Sequence, residues 1–117
     1  MSPLSAERER YVRALERDLN SLVEQLSSVP EVQKVVLFGS YATGRRDLFT
    51  DLDILVVMHS PLDFVTRNAD LARRLRVGVA LDLLAYTPQE MKQMRDRPFL
   101  RHVLETGKVL YEKQPSR

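Results

Sequence analysis

The sequence predicts an α/β (α+β) fold in which a small mixed β-sheet is flanked by helices and preceded by a long N-terminal helix. Short apolar runs of strand length alternate along the chain with segments whose apolar residues recur every three or four positions. A helical segment separates the second and third runs, whereas a turn and a polar loop separate the first and second. We therefore expect the first two strands to pair antiparallel and the second and third to pair in parallel.

The N-terminal helix is predicted over residues 4–28, because its apolar residues share one face: Tyr11, Leu15, Leu19, Leu22 and Leu26. Ser2 or Ser5 is expected to cap the start of this helix, and Pro30 marks its end. A helix of this length extends roughly 36 Å, at 1.5 Å per residue. That is long for so small a domain, so a homo-oligomer or partner contact through this helix stays open.

The first two strands are predicted at residues 34–38 and 51–58, which are short, apolar and rich in β-branched residues. Gly39-Ser40 ends the first strand. A helical turn at 41–44 and a polar loop at 45–50 then lead into the second strand. Tyr41 at this turn has two open interpretations, packing in the core or stacking on a nucleobase.

The second half of the chain is predicted to contain five further elements. Thr87 is expected to cap a helix whose first residue is Pro88. Pro98 separates this helix from the next one, which Gly107 is expected to end. The elements are a helix at 61–76, a strand at 79–86, a helix from Thr87-Pro88, a helix at 99–106 and a strand at 108–112.

The bulk properties fit one domain over 1–117, divided into an N-terminal helix at 1–30, a core at 31–112 and a loose tail at 113–117. The chain has no cysteine, which rules out disulfides and thiolate ligands and fits a cytoplasmic protein. No apolar run approaches the roughly 20 residues of a membrane span. The net charge of +2 gives no reason to expect direct nucleic-acid binding.

Three aspartates interrupt strands that are otherwise apolar. Asp51 and Asp53 stand two positions apart at the start of the second strand, so they point to the same face. Asp82 is the only charged residue of the third strand, and parallel pairing would bring it to the same sheet edge. Like charges this close need compensation, and a site with oxygen ligands alone suits Mg²⁺ or Mn²⁺.

The end of an antiparallel first strand brings Gly39 and Ser40 to the same edge. Glycine permits a sharp turn and close approach of a ligand, and the start of a helical turn can seat a phosphate. A phosphate seat opposite three carboxylates serves metal-assisted phosphoryl or nucleotidyl transfer.

This pattern resembles the DNA polymerase β-like nucleotidyltransferase superfamily, and in its short length the minimal MNT (MntA-type) members. The resemblance covers residues 34–86 and is carried by Gly39-Ser40, the Asp51-Leu52-Asp53 pair ten residues further on, and Asp82. It implies the polymerase β-like nucleotidyltransferase fold. It also implies transfer of a nucleoside monophosphate, usually AMP from ATP, with loss of pyrophosphate.

The resemblance also implies roles for particular residues. Asp51 and Asp53 would bind the magnesium associated with the nucleotide, or both metals. Asp82 would bind the second metal and help to deprotonate the acceptor hydroxyl. Gly39 and Ser40 would hold the phosphates. Family members often have arginine where Thr43 stands here, and Arg45 or Arg46 is a candidate substitute for that phosphate contact.

Larger members of the superfamily carry a second domain that holds the acceptor, and a chain of this length has no room for one. The resemblance therefore implies a partner, a helical HEPN-type toxin that the MNT antitoxin neutralises, in some cases by adding AMP to a tyrosine. Two functions remain open at this point. One is an antitoxin that acts as an adenylyltransferase, and the other is a binding module that masks its partner by contact. Transfer to a small molecule or an RNA end is a third, weaker hypothesis.

Overall fold

The computed structural model describes residues 2–115, and the predicted order of elements is confirmed. The elements are α1 (Pro3–Ser27), β1 (Val32–Phe38), α2 (Gly39–Ala42), β2 (Leu52–Met58), α3 (Phe64–Arg74), β3 (Leu81–Tyr86), α4 (Pro88–Met94), α5 (Pro98–Thr106) and β4 (Lys108–Glu112). The end of the tail predicted at 113–117 lies outside the described residues.

The four strands form one mixed sheet in the order β3-β2-β1-β4. The pair β1 and β2 is antiparallel, and the pair β2 and β3 is parallel. The last strand, β4, pairs antiparallel with the free edge of β1. This topology places the end of β1 beside the starts of β2 and β3, as the sequence predicts.

Apolar side chains cover both faces of the sheet. The larger cluster joins α1 and α3 to one face, through Leu15, Leu22, Leu26, Val32, Val35, Ile54, Val56, Leu71 and Ala85. The smaller cluster joins α4 and α5 to the other, through Val36, Leu55, Leu100 and Val103, with Met91 and Met94 packed against it. Strand residues alternate between the two clusters because side chains alternate across a strand.

Two helices begin at residues that differ clearly from the prediction. The helix α3 begins at Phe64 and not at Pro61, because the Asp63 carboxylate caps it by accepting the Thr66 N–H at 2.8 Å. The short helix α2 begins at Gly39, two residues earlier than predicted.

The helix α1 begins at Pro3, where the Ser2 side chain accepts the Ser5 N–H. Its buried residues begin at Leu15, whereas Leu4 is exposed. The molecule measures 53 × 29 × 29 Å, consistent with projection of the start of this helix. Within residues 2–115, every helix is too short or too polar to cross a bilayer.

Candidate active site

Asp53 and Asp82 meet at the edge of the sheet where β2 and β3 begin. They are register partners on the two parallel strands, so their side chains project from the same face. Their carboxyl groups lie close enough to interact, because the side chain and the negative charge of Asp82 both raise the pKa of Asp53. The structure thus brings together the two acids that the sequence placed on separate strands.

The pKa of Asp53 is raised to about 6. Burial is the largest cause, because it disfavours the charged form. The side-chain interaction with Asp82 follows, and then the negative charges of Asp82 and Asp51. A carboxyl group in this state holds a proton close to neutral pH and releases it readily to a competing cation.

Asp51 lies just before β2, two residues from Asp53. Its charge acts on Asp53 and also on Arg45, so it shares the electrostatic field of the pair. Asp51 is half-buried and Asp82 is exposed, which leaves the acidic edge open to a ligand. The three predicted acids therefore lie in one neighbourhood, with direct contact between two of them.

Gly39 stands opposite this pair, at the point where β1 passes into α2. Its φ of +77° is in the left-handed region that favours glycine. A Cβ atom at this position would collide with the carboxylate of Asp53. Glycine is therefore required both by the backbone conformation and by the space that Asp53 occupies. The half-buried Ser40 follows in the first turn of α2.

The loop 45–50 leads from α2 to Asp51. The guanidinium of Arg45 contacts Asp47, with Nε 2.8 Å from Oδ2, and this contact raises the pKa of Arg45. A phosphate would therefore have to compete with Asp47 for Arg45.

The guanidinium of Arg46 lies 3.5 Å from the centre of the Tyr41 ring and donates to the Tyr41 carbonyl at 2.8 Å. Because Tyr41 is buried in the larger cluster, the structure favours the packing interpretation of this residue.

One aromatic pair beside the acids has no counterpart in the sequence analysis. Phe38 is the register partner of Asp53 on β1, and its ring lies 5.8 Å from the half-exposed ring of Phe99 at the start of α5. In the sequence, the only sign that Phe38 lies at the site is its position directly before Gly39. The sequence gives no such sign for Phe99, because its approach to Phe38 depends on how α5 packs.

The donor chemistry at this edge fits a hard divalent cation, since every candidate side chain supplies carboxylate oxygen. Within residues 2–115, no three His, Asp or Glu side chains are arranged as a ready-made metal cage. Magnesium commonly takes only one or two carboxylates and completes its coordination with substrate phosphates and water. The contact between Asp53 and Asp82 is compatible with that arrangement.

Comparison with known proteins gives a consistent result. The family described as Polymerase beta, Nucleotidyltransferase matches residues 20–116. A Methanocaldococcus jannaschii protein assigned as a protein adenylyltransferase is 32% identical over 101 residues, which are 85% of this chain and 96% of that protein.

Solved structures share the fold. A Sulfolobus solfataricus protein assigned as a nucleotidyltransferase superposes with a TM-score of 0.60 at 22% identity, over 97% of this chain and 91% of that one. A toxin–antitoxin structure with AMP-PNP gives a TM-score of 0.52 at 27% identity, over 81% and 73% of the two chains. A mutant MntA–HpeT toxin–antitoxin structure gives a TM-score of 0.52 at 27% identity, over 82% of this chain and 73% of that one.

Proposed function

The chain belongs to the polymerase beta nucleotidyltransferase family, and from that premise we propose that it transfers AMP from ATP to a hydroxyl group of a partner protein. The partner in this proposal is a helical HEPN-type toxin, which the chain neutralises as an antitoxin. The register pairing of Asp53 with Asp82, opposite a Gly39 whose added Cβ would collide with the Asp53 carboxylate, is the observation that carries the proposal. The absence of cysteine fits a cytoplasmic site of action.

The proposed reaction forms one bond and breaks another at the α-phosphorus of ATP. The acceptor oxygen attacks this phosphorus, the bond to the bridging oxygen breaks, and pyrophosphate leaves. The proton of the hydroxyl passes to the carboxylate pair through Asp82, the exposed member. A carboxylate within hydrogen-bond reach of the acceptor hydroxyl can act as such a base, and the exposure of Asp82 leaves it accessible to the acceptor.

The remaining residues bind and orient the nucleotide. Gly39 and Ser40 would hold its phosphates, because the glycine leaves the backbone accessible next to the acids. Asp51, Asp53 and Asp82 would hold Mg²⁺ or Mn²⁺, which when bound neutralises charge that develops on the phosphates. Arg45 would add a phosphate contact if it exchanged Asp47 for the nucleotide.

The choice of a protein acceptor is supported by the comparisons. The relative from M. jannaschii is assigned as a protein adenylyltransferase, and two similar structures are toxin–antitoxin complexes, one of them with AMP-PNP. Masking by contact is the second candidate, because Leu48 and Phe49 expose apolar surface on the loop that leads into β2.

The test is transfer of label from ATP marked at the α-phosphate to a helical HEPN-type toxin, sought first in the adjacent reading frame. We expect Asp51→Asn and Asp53→Asn to abolish labelling, while Asp96→Asn, an exposed site on the linker between α4 and α5, labels the toxin at the wild-type rate. Labelling by Asp51→Asn at the wild-type rate would refute catalysis by these acids. Full neutralisation of the toxin by the Asp51→Asn/Asp53→Asn double variant would favour masking.

A further inference from the structure

Three apolar side chains form an exposed surface between the start of α1 and the loop 45–50. We call this surface the Phe49 patch, and its members are Leu4, Leu48 and Phe49. Phe49 is 78% exposed to solvent, and Leu4 is 68% exposed. Together with Ser5, Arg8 and Asp47 they line a cleft of about 530 Å³ between the start of α1 and the loop 45–50. Exposed apolar residues usually occur singly, so a group of three around one cleft indicates a binding surface.

The backbone that carries Phe49 is firmly held. The Phe49 N–H donates to Oδ1 of Asp47 at 2.8 Å, and the Thr50 hydroxyl donates to the same oxygen at 3.1 Å. The Tyr11 hydroxyl of α1 donates to the Thr50 carbonyl at 2.8 Å. The loop is therefore ordered by polar contacts and presents the Phe49 ring to solvent, where the ring does nothing for the fold.

The patch is bordered by positive charge. Phe49 lies on the loop that leads from α2 into β2, two residues before Asp51 in the chain. An adjoining cleft shares Arg8 with the patch. It is lined by three arginines (Arg8, Arg13 and Arg46), by Glu9 and by Val12. A partner with carboxylates near its apolar contact would complement this excess of positive charge.

We propose that the Phe49 patch docks the protein that carries the acceptor hydroxyl. An apolar side chain of that protein packs against Phe49, and acidic groups beside it face Arg8 and Arg13. The inference rests on the proposed function in taking the acceptor to be a protein. It adds the surface that this protein uses and the chemistry by which the surface selects it.

The experiment measures the dissociation constant of the toxin complex by calorimetry for the wild type, Phe49→Ser and Val65→Ser. Val65 is a matched control, because it is 76% exposed and lies on α3 away from the cleft. A central aromatic contact typically dominates an interface, so we expect Phe49→Ser to weaken toxin binding about 10- to 30-fold. Val65→Ser should change it less than about twofold, and neither variant should alter the affinity for AMP-PNP.

Each other result overturns the inference. Unchanged toxin binding by Phe49→Ser, an equal loss in Val65→Ser, or no binding of the toxin to the wild type would each exclude docking on the patch. Loss of AMP-PNP affinity in Phe49→Ser would assign the residue to the nucleotide site. A wild-type dimer in sedimentation that becomes monomeric in Phe49→Ser would identify a second copy as the occupant. Toxin binding without AMP transfer refutes the proposed function alone, because the dissociation constants still test docking.

Discussion

Asp53 and Asp82 are register partners on the parallel strands β2 and β3, and the nearby Asp82 raises the pKa of the Asp53 carboxyl. Neither strand gains stability from this contact at neutral pH, since burial and mutual repulsion both disfavour the charged forms. The antiparallel strand β1 ends at the same place with Gly39, the one residue type that leaves room for the Asp53 carboxylate. Such a cost in stability is typical of functional sites.

The first prediction separates stability from activity at Asp53. We expect Asp53→Asn to raise the unfolding free energy by about 1 kcal/mol, an amount reduced for the solvent screening of a partly exposed carboxyl. The melting temperature should then rise by roughly 4 °C, while AMP transfer is lost. Calorimetry and the labelling assay measure the two effects. A fall in melting temperature would show that the acid stabilises the fold.

The second prediction compares two glycines that both have positive φ, Gly39 at +77° and Gly44 at +109°. An alanine at either position strains the backbone by about 1–2 kcal/mol. Only at Gly39 would the added Cβ also displace the Asp53 carboxylate, because it meets nothing within 4 Å at Gly44. We expect Gly39→Ala to lose AMP transfer and Gly44→Ala to keep it. Equal activities at matched melting temperatures would contradict this reading of Gly39.

The third prediction concerns the proton held by the acidic pair. In the metal-free protein, an NMR titration of the Asp53 carboxyl should have its midpoint near pH 6. Asp82→Asn removes one negative charge and the carboxyl partner, so the pKa of Asp53 should fall. It should stay above the ordinary value of 3.8, because burial is the largest cause of the shift and remains. An unchanged midpoint in Asp82→Asn would show that the two groups do not interact.

The fourth prediction concerns an ion pair far from the acids. The side chain of Arg67 is only 3% exposed, and its Nη1 lies 2.7 Å from Oε1 of Glu90. The hydrogen bond from Arg67 holds the pKa of Glu90 below its usual 4.5. The resulting stability is fully present above pH 4.5 and is lost as the pH falls through the lower pKa of the folded state.

Glu90→Gln should therefore lower the unfolding free energy at pH 7 by about 2–3 kcal/mol, because Arg67 stays buried without its counter-charge. Its stability should also decline less steeply than that of the wild type below pH 4.5. Urea unfolding at pH 7 and pH 3.5 measures both effects. AMP transfer at a temperature where both proteins are folded should be unchanged. If the difference in unfolding free energy between the wild type and Glu90→Gln is the same at both pH values, the ion pair is not its cause.

Local sequence patterns were sufficient for the strands and most of the helices. The apolar periodicity of α1 and the β-branched runs of β1 and β2 follow from side-chain burial, which repeats along the chain. Helix boundaries do not follow from the apolar pattern, because a single capping side chain can decide where a helix begins. The Asp63 carboxylate starts α3 at Phe64, although the apolar pattern extends back to Leu62.

The sequence by itself determined which residue types were available: three aspartates in apolar strands, a Gly-Ser turn and no cysteine. It also determined the order of strands that makes their meeting feasible. Only the tertiary structure decided that Asp82 faces Asp53, that Tyr41 packs under Arg46 and that Phe99 reaches Phe38. The reason is physical, since these contacts depend on strand register and helix packing between segments far apart in the chain. That packing buries Asp53 and brings Asp82 close to it, and these two effects, which no local pattern shows, raise the pKa of Asp53.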